Sequence, residues 1–163
     1  MTGKRKDFLP MPKPLPIPYH AQISSGYCLA ACAQMALDYL GVIRSQEHLA
    51  RLLKTVPFVG APARNIRLLA SQEVAVVFEE GTLDELGHWL RQSVPVIAFI
   101  QAGELPYWQG EQFQHTVIVT GIDDDLVQLL DPDVGPGQIS VPVDEFLLAW
   151  DEIDNLYAVL IKP

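Results

Sequence analysis

Residues 24–41 read Ser24-Ser25-Gly26-Tyr27-Cys28-Leu29-Ala30-Ala31-Cys32-Ala33-Gln34-Met35-Ala36-Leu37-Asp38-Tyr39-Leu40-Gly41, and the rest of the chain is read outward from them. Cys28, Ala31, Cys32, Met35 and Tyr39 recur at the i, i+3, i+4 spacing of one helix face, which predicts a helix over about 27–40. Ser24, Ser25 and Gly26 supply its N-terminal cap and Gly41 its C-terminal stop. Cys28 opens this helix, where the dipole and the free N–H groups favour a thiolate and a nearby oxyanion. The plainer reading is that Cys28 and Cys32 are small core hydrophobes, the commonest use of a helical cysteine.

Upstream, prolines at 10, 12, 14, 16 and 18 predict an extended, polyproline-like segment over 1–18, either a tether or a strand that wraps the domain. Downstream, helical patterns cover 45–54 and 62–70, and 74–78 reads as a short strand. Thr82-Leu83-Asp84-Glu85 is a capping box that opens a helix over about 83–92. Strands follow over 94–100, 115–120, 126–130 and 156–161, with a helix over about 143–150 before the last. Helices first and antiparallel strands second make an α+β domain over 19–163, an N-terminal helical half packed on a C-terminal antiparallel sheet.

The 163 residues are 49% hydrophobic, enough for one domain with a sizeable core and too apolar for a disordered chain. Eleven Lys and Arg stand against 20 Asp and Glu, a net charge of −9 that argues against binding a phosphate backbone. The imbalance is lopsided: residues 101–163 carry 12 acids and only Lys162 as a base, so this third favours cationic or neutral ligands. Two cysteines do not make a disulfide framework, which points to a reducing, cytoplasmic setting. The prolines interrupt any signal-peptide core, and the longest apolar run, 94–100, is far shorter than the roughly 20 residues of a membrane helix. CxxxC on one helix is not a zinc knuckle, and Asp123 to Asp125 lack the spacing of a calcium loop, so no metal or other cofactor is expected.

A nucleophilic cysteine needs a base, and His115 begins a strand that would hold an imidazole rigidly. Pairing centred on Asp123 sets His115 opposite Asp131, near enough for the carboxylate to accept the imidazole N–H and fix its tautomer. The alternatives stay open here: a strand histidine satisfied by backbone, and an Asp-Pro turn at Asp131 and Pro132. The stretch 102–114, with Tyr107, Trp108, Gly103 and Gly110, reads as a loop that either covers the cleft or seals the core. His20, His48 and His88 read as ordinary side chains, with His20 a second-choice base.

These residues carry a resemblance. Gln22, six residues before Cys28, the run Cys28 to Met35 leading into Tyr39-Leu40-Gly41, Pro95-Val96-Ile97, His115 to Val119 then Gly121, Asp131-Pro132 then Gly135, and Asp144-Glu145-Phe146 ending at Trp150 resemble the papain-like C39 peptidase family and its stand-alone C39-like relatives, in the same order. The resemblance covers 15–163. It implies a papain-like cysteine proteinase fold, with Cys28 as nucleophile, His115 as general base and acid, Asp131 as the residue orienting His115, and Gln22 as an oxyanion donor. Gln22 alone would read as a polar loop residue. Cys32 aligns with a second family cysteine, one turn inside the helix, and is read as packing. The implied activity is hydrolysis of a peptide or amide bond through a Cys28 thioester, with a peptide or protein as partner. Two departures stand out: Tyr27 and Leu29 replace the small or polar residue before the cysteine and the Gly after it. Leu29 is expected to crowd the entrance to the oxyanion hole, and with Tyr27 it keeps a catalytically silent peptide-binding domain as the alternative. Acyl transfer to an amine acceptor is a third reading.

Overall fold

Helix α1 (Cys28–Tyr39) is the centre of the computed structural model, which describes residues 13–163. Leu29 to Ala33 and Met35 to Leu37 are all buried, so the helix is covered on nearly every side. Its four alanines, at 30, 31, 33 and 36, let the backbone approach the sheet closely. Helix α2 (Gln46–Leu52) packs on α1, and its first turn is closed by Ser45 Oγ accepting from the His48 N–H at 3.1 Å. Helix α3 (Leu83–Arg91) starts on the expected capping residues, with Thr82 Oγ1 accepting from the Glu85 N–H at 3.2 Å. Helix α4 (Val143–Asp151) sits against the sheet through Phe146, Ala149 and Trp150.

Among the described residues, six strands form one antiparallel sheet: β1 (Ala75–Glu80), β2 (Val96–Gln101), β3 (Gln114–Ile122), β4 (Leu126–Leu130), β5 (Ile139–Pro142) and β6 (Leu156–Ile161), in the order β1-β6-β2-β3-β4-β5. The architecture is the expected α+β. Central strands β2 and β3 are buried on both faces, which is why Val96 to Ile100 and Val117 to Val119 read as unbroken apolar runs rather than alternating ones. None of the helices among the described residues is long and apolar enough to cross a membrane.

Four local expectations need correction. Tyr27, not a serine, is the N-cap of α1, and no side chain caps the helix, because the Ser24 carbonyl turns to accept the Tyr27 N–H at 3.2 Å. The segment over 62–70 forms a 3-10 helix, Ala63–Leu69. Strand β5 was absent from the sequence pattern, since Gly135, Pro136, Gly137 and Pro142 around it read as turn material. The stretch 102–114 contains two short 3-10 turns, Ala102–Glu104 and Pro106–Trp108. Of the proline-rich segment, residues 1–12 lie outside the described residues. Residues 14–17 do wrap the sheet: the Leu15 N–H donates to Thr120 O at 2.9 Å, and Leu15 and Ile17 are buried. The glycine at 121 permits this crossing, because a Cβ there would lie 3.3 Å from the Pro14 Cα.

Candidate active site

β3 and β4 decide where the imidazole and the carboxylate meet. The ladder pairs Ile118 with Leu130 and Val119 with Leu129, and shifts by one residue between Val119 and Gly121. Continued by one residue, this register sets Asp131 opposite Val117, not opposite His115. The expected pairing is therefore displaced by two residues, because the hairpin centre moves past Asp123. A displacement of two keeps the side chain on the same face, whereas one residue would have turned it away. His115 and Asp131 end as diagonal neighbours, and His115 Nε2 lies 2.8 Å from Asp131 Oδ1, both side chains buried.

Asp131 is the most heavily bonded side chain of the site. Its Oδ1 also accepts from the Asp133 N–H at 2.9 Å, while Oδ2 accepts from the Tyr107 O–H at 2.7 Å and the Trp108 Nε1–H at 3.0 Å. Burial pushes the Asp131 carboxyl up, but the His115 bond and charge, with the donors Tyr107 and Asp133, hold it below its ordinary value. Burial and the same carboxylate push the Tyr107 phenol far above its usual range, so it remains a donor. The Trp108 ring also meets His115 edge to face at 5.6 Å, and Phe113 meets it at 5.3 Å. Tyr107 and Trp108 are functional neighbours that sequence reasoning missed as donors; a non-periodic loop gives no spacing from which to infer where an indole N–H points.

With Nε2 committed to Asp131, the other ring nitrogen, Nδ1, is left for Cys28, which hydrogen-bonds the ring. Burial lowers the pKa of His115, but the bond to Asp131 and then the bond to Cys28 outweigh it, and the ring is pushed up to about 9. Burial likewise raises the Cys28 thiol, yet His115 and hydrogen bonds to Thr116 bring it below its ordinary value. Cys32 behaves oppositely: it is fully buried, its Sγ–H donates to Thr116 O at 3.5 Å, and burial drives its thiol well up. It is packing, as expected.

Cys28 and His115 face a cleft of about 520 Å³ between the helical half and the sheet. Gln22, Ser25, Gly26 and Phe58 to Gly60 line it on the Cys28 side. Gln22 donates one amide hydrogen to Ser24 O at 3.2 Å, and its Oε1 is buried with no partner. An amide has two hydrogens, so a second donor remains. The segment that carries Gln22 is tied to the segment that carries Asp131: the Gln22 N–H donates to Pro132 O at 2.9 Å, and the Tyr19 O–H to Asp131 O at 2.9 Å. Leu29, 3% exposed, points into the core, and neither it nor Tyr27 lines the cleft. The crowding expected of Leu29 is thus absent, because the residue after an N-terminal cysteine lies a helical step of about 100° away from it. His20 sits with Asp38 at 2.9 Å, outside the cleft. Among the described residues, three or more His, Cys, Asp or Glu side chains nowhere gather as a metal site.

A cysteine-bearing helix packed on an antiparallel sheet that presents His and Asp defines a papain-like cysteine peptidase fold. Residues 14–158 match the model of the Peptidase_C39 like family, and the chain belongs to that family. No curated protein sequence matches it. Among solved structures, it is similar to a Bacillus anthracis protein assigned as a C39-like peptidase, at 18% identity and TM-score 0.75, covering 91% of this chain and 96% of that one. It is similar at 15% identity and TM-score 0.71 to a double glycine motif protease from an AMS/PCAT transporter in complex with the leader peptide, covering 94% and 97%. The peptidase domain of Streptococcus ComA, a bi-functional ABC transporter in a quorum-sensing pathway, matches at 19% identity and TM-score 0.71, covering 88% and 97%. These likenesses establish the fold.

Proposed function

We propose that the protein is a cysteine peptidase that cleaves a peptide or amide bond through a thioester on Cys28. The Cys28 thiolate attacks the scissile carbonyl carbon, and the C=O electron pair moves onto oxygen. The Cys28 N–H, left uncapped at the start of α1, and the free Gln22 amide hydrogen receive that charge. His115 then gives its Nδ1 proton to the leaving nitrogen as the C–N bond breaks. In the second half His115 takes a proton from water, which attacks the thioester, releases the acid and restores Cys28. Asp131 holds the ring in the tautomer and orientation that both halves need.

One observation carries the reading: the His115 ring joins a buried, four-times hydrogen-bonded Asp131 to Cys28 at a helix start facing an open cleft. The positions of Leu29 and Tyr27 off the cleft lining weigh against a silent peptide-binding domain. A peptide partner fits the relative solved with a leader peptide. Transfer to an amine acceptor shares every step up to the thioester. We place the chemistry in the cytoplasm, where the free thiols of Cys28 and Cys32 stay reduced. Labelling with a thiolate-selective alkylator tests the ion pair: Cys28 should react near neutral pH in wild type and far more slowly in His115→Ala. Equal rates in the two proteins, or turnover that survives Cys28→Ala, would overturn the mechanism.

A further inference from the structure

The cleft has two unlike walls. On the Cys28 side, the lining residues Gln22, Ser25, Gly26 and the exposed Phe58 and Val59 carry no charge. The His115 side carries Glu111 and Asp133, and among the described residues no Lys or Arg lines the cleft or pairs with either carboxylate. Both carboxylates are exposed. Both sit on segments that adjoin the site. Asp133 is anchored by its N–H on Asp131 Oδ1, and Glu111 lies in the segment between Trp108 and β3. Burial raises the Asp133 carboxyl, His115 lowers it, and repulsion from Asp131 and Glu111 leaves it above its ordinary value. Glu111, Asp131 and Asp133 thus share one negative field, answered among the described residues of the cleft by the imidazolium.

The direction of the substrate follows from the chemistry. In the proposed reaction the leaving nitrogen takes its proton from His115, so the departing chain runs along the His115 wall, and the acyl half lies by the oxyanion donors and the Phe58 tip. We propose that the His115 wall selects a peptide with Lys or Arg on the leaving-nitrogen side of the scissile bond, held between Glu111 and Asp133. This rests on the peptidase reading above. It also gives the acidic bias of residues 101–163 a specific use: two of those acids stand on the cleft, where a cationic side chain finds carboxylates that no Lys or Arg among the described residues neutralises.

The test uses peptide libraries with Lys, norleucine or Glu fixed at single positions. Wild-type protein is read by mass spectrometry for the residue after each cut, and the Cys28→Ala protein for library retention. Lys should exceed Glu by about fivefold at low salt, as expected for exposed pairs, and by less than about twofold at high salt. Glu111→Gln should remove about half of that preference on a free-energy scale, read as the ratio of Lys to norleucine cleavage. Cleavage without a Lys preference, or with one that ignores both salt and Glu111→Gln, overturns the inference and leaves the peptidase reading standing. If wild type cuts nothing, the peptidase reading fails. Retention by Cys28→Ala then decides the wall alone: Lys libraries held over Glu libraries support it, and equal retention sinks it.

Discussion

Replacing Asp131 by Asn keeps the shape of the side chain and removes its charge. Four donors converge on the carboxylate, His115 and Asp133 on Oδ1, Tyr107 and Trp108 on Oδ2. An amide has one acceptor oxygen, so its NH2 must face one of the two donor pairs. A phenol can turn to accept and an indole cannot. The imidazole escapes by moving its proton from Nε2 to Nδ1, the tautomer that cannot take a proton from Cys28. The energy at stake is set by the ring, held at about 9 against an ordinary 6.5. That difference corresponds to about 3 kcal/mol in favour of the imidazolium. In Asp131→Asn, burial still lowers the ring and the larger of the two partners that opposed it is gone, leaving Cys28 alone to raise it, so His115 should titrate well below its wild-type value. Because the wild-type value is raised, its stabilisation is complete below about pH 6.5 and is lost as pH rises through about 9. Wild type should therefore exceed the variant in urea unfolding by up to about 3 kcal/mol more below that window than above it. Turnover should fall on the order of 10³-fold. An NMR titration of the His115 Cε1–H checks this directly, and a variant ring that still titrates near 9 would refute the reasoning.

Three further outcomes follow from the same geometry. Gln22→Ala should lower kcat by about 10²–10³-fold, the range for one oxyanion donor, with the thermal midpoint little changed. Leu29→Ala should cost about 2–5 kcal/mol of stability by leaving a core void, while kcat per folded molecule stays as in wild type; a change in kcat would mean that Leu29 reaches the cleft. Gly26→Ala should be destabilising by about 1–3 kcal/mol, and kcat/KM should drop because the loop at 58–60 has to move. The reason is local: Gly26 has φ +89°, and a Cβ there would sit 3.0 Å from the backbone nitrogens of Gly60 and Phe58.

The site was legible in the sequence wherever residue type and chain order carried it. Cys28 at a helix start and His115 on a strand needed only periodicity, and both elements form where expected. Asp131 was reached through an incorrect register, and the parity of the strand protected the result, since residues two apart share a face. The donors on Asp131 Oδ2 were illegible, because the Pro106–Trp108 turn has no repeat and its indole and phenol are aimed by tertiary packing. Leu29 misled for a related reason: its type was visible, but the direction of its side chain is a property of how α1 lies on the sheet. Strand β5 was hidden because pairing with β4, rather than its own composition, makes it a strand.

The sheet order has a bearing on when the fold closes during synthesis of the chain. β6 lies between β1 and β2, so the sheet stays split until residues 156–161 have left the ribosome and inserted. Cys28 and its helix are made early, yet β2, the partner that aligns His115 on β3, keeps an open edge until then. A nascent chain therefore holds α1, β3 and β4 before its sheet is whole, and the last strand made is the one that joins β1 to the rest.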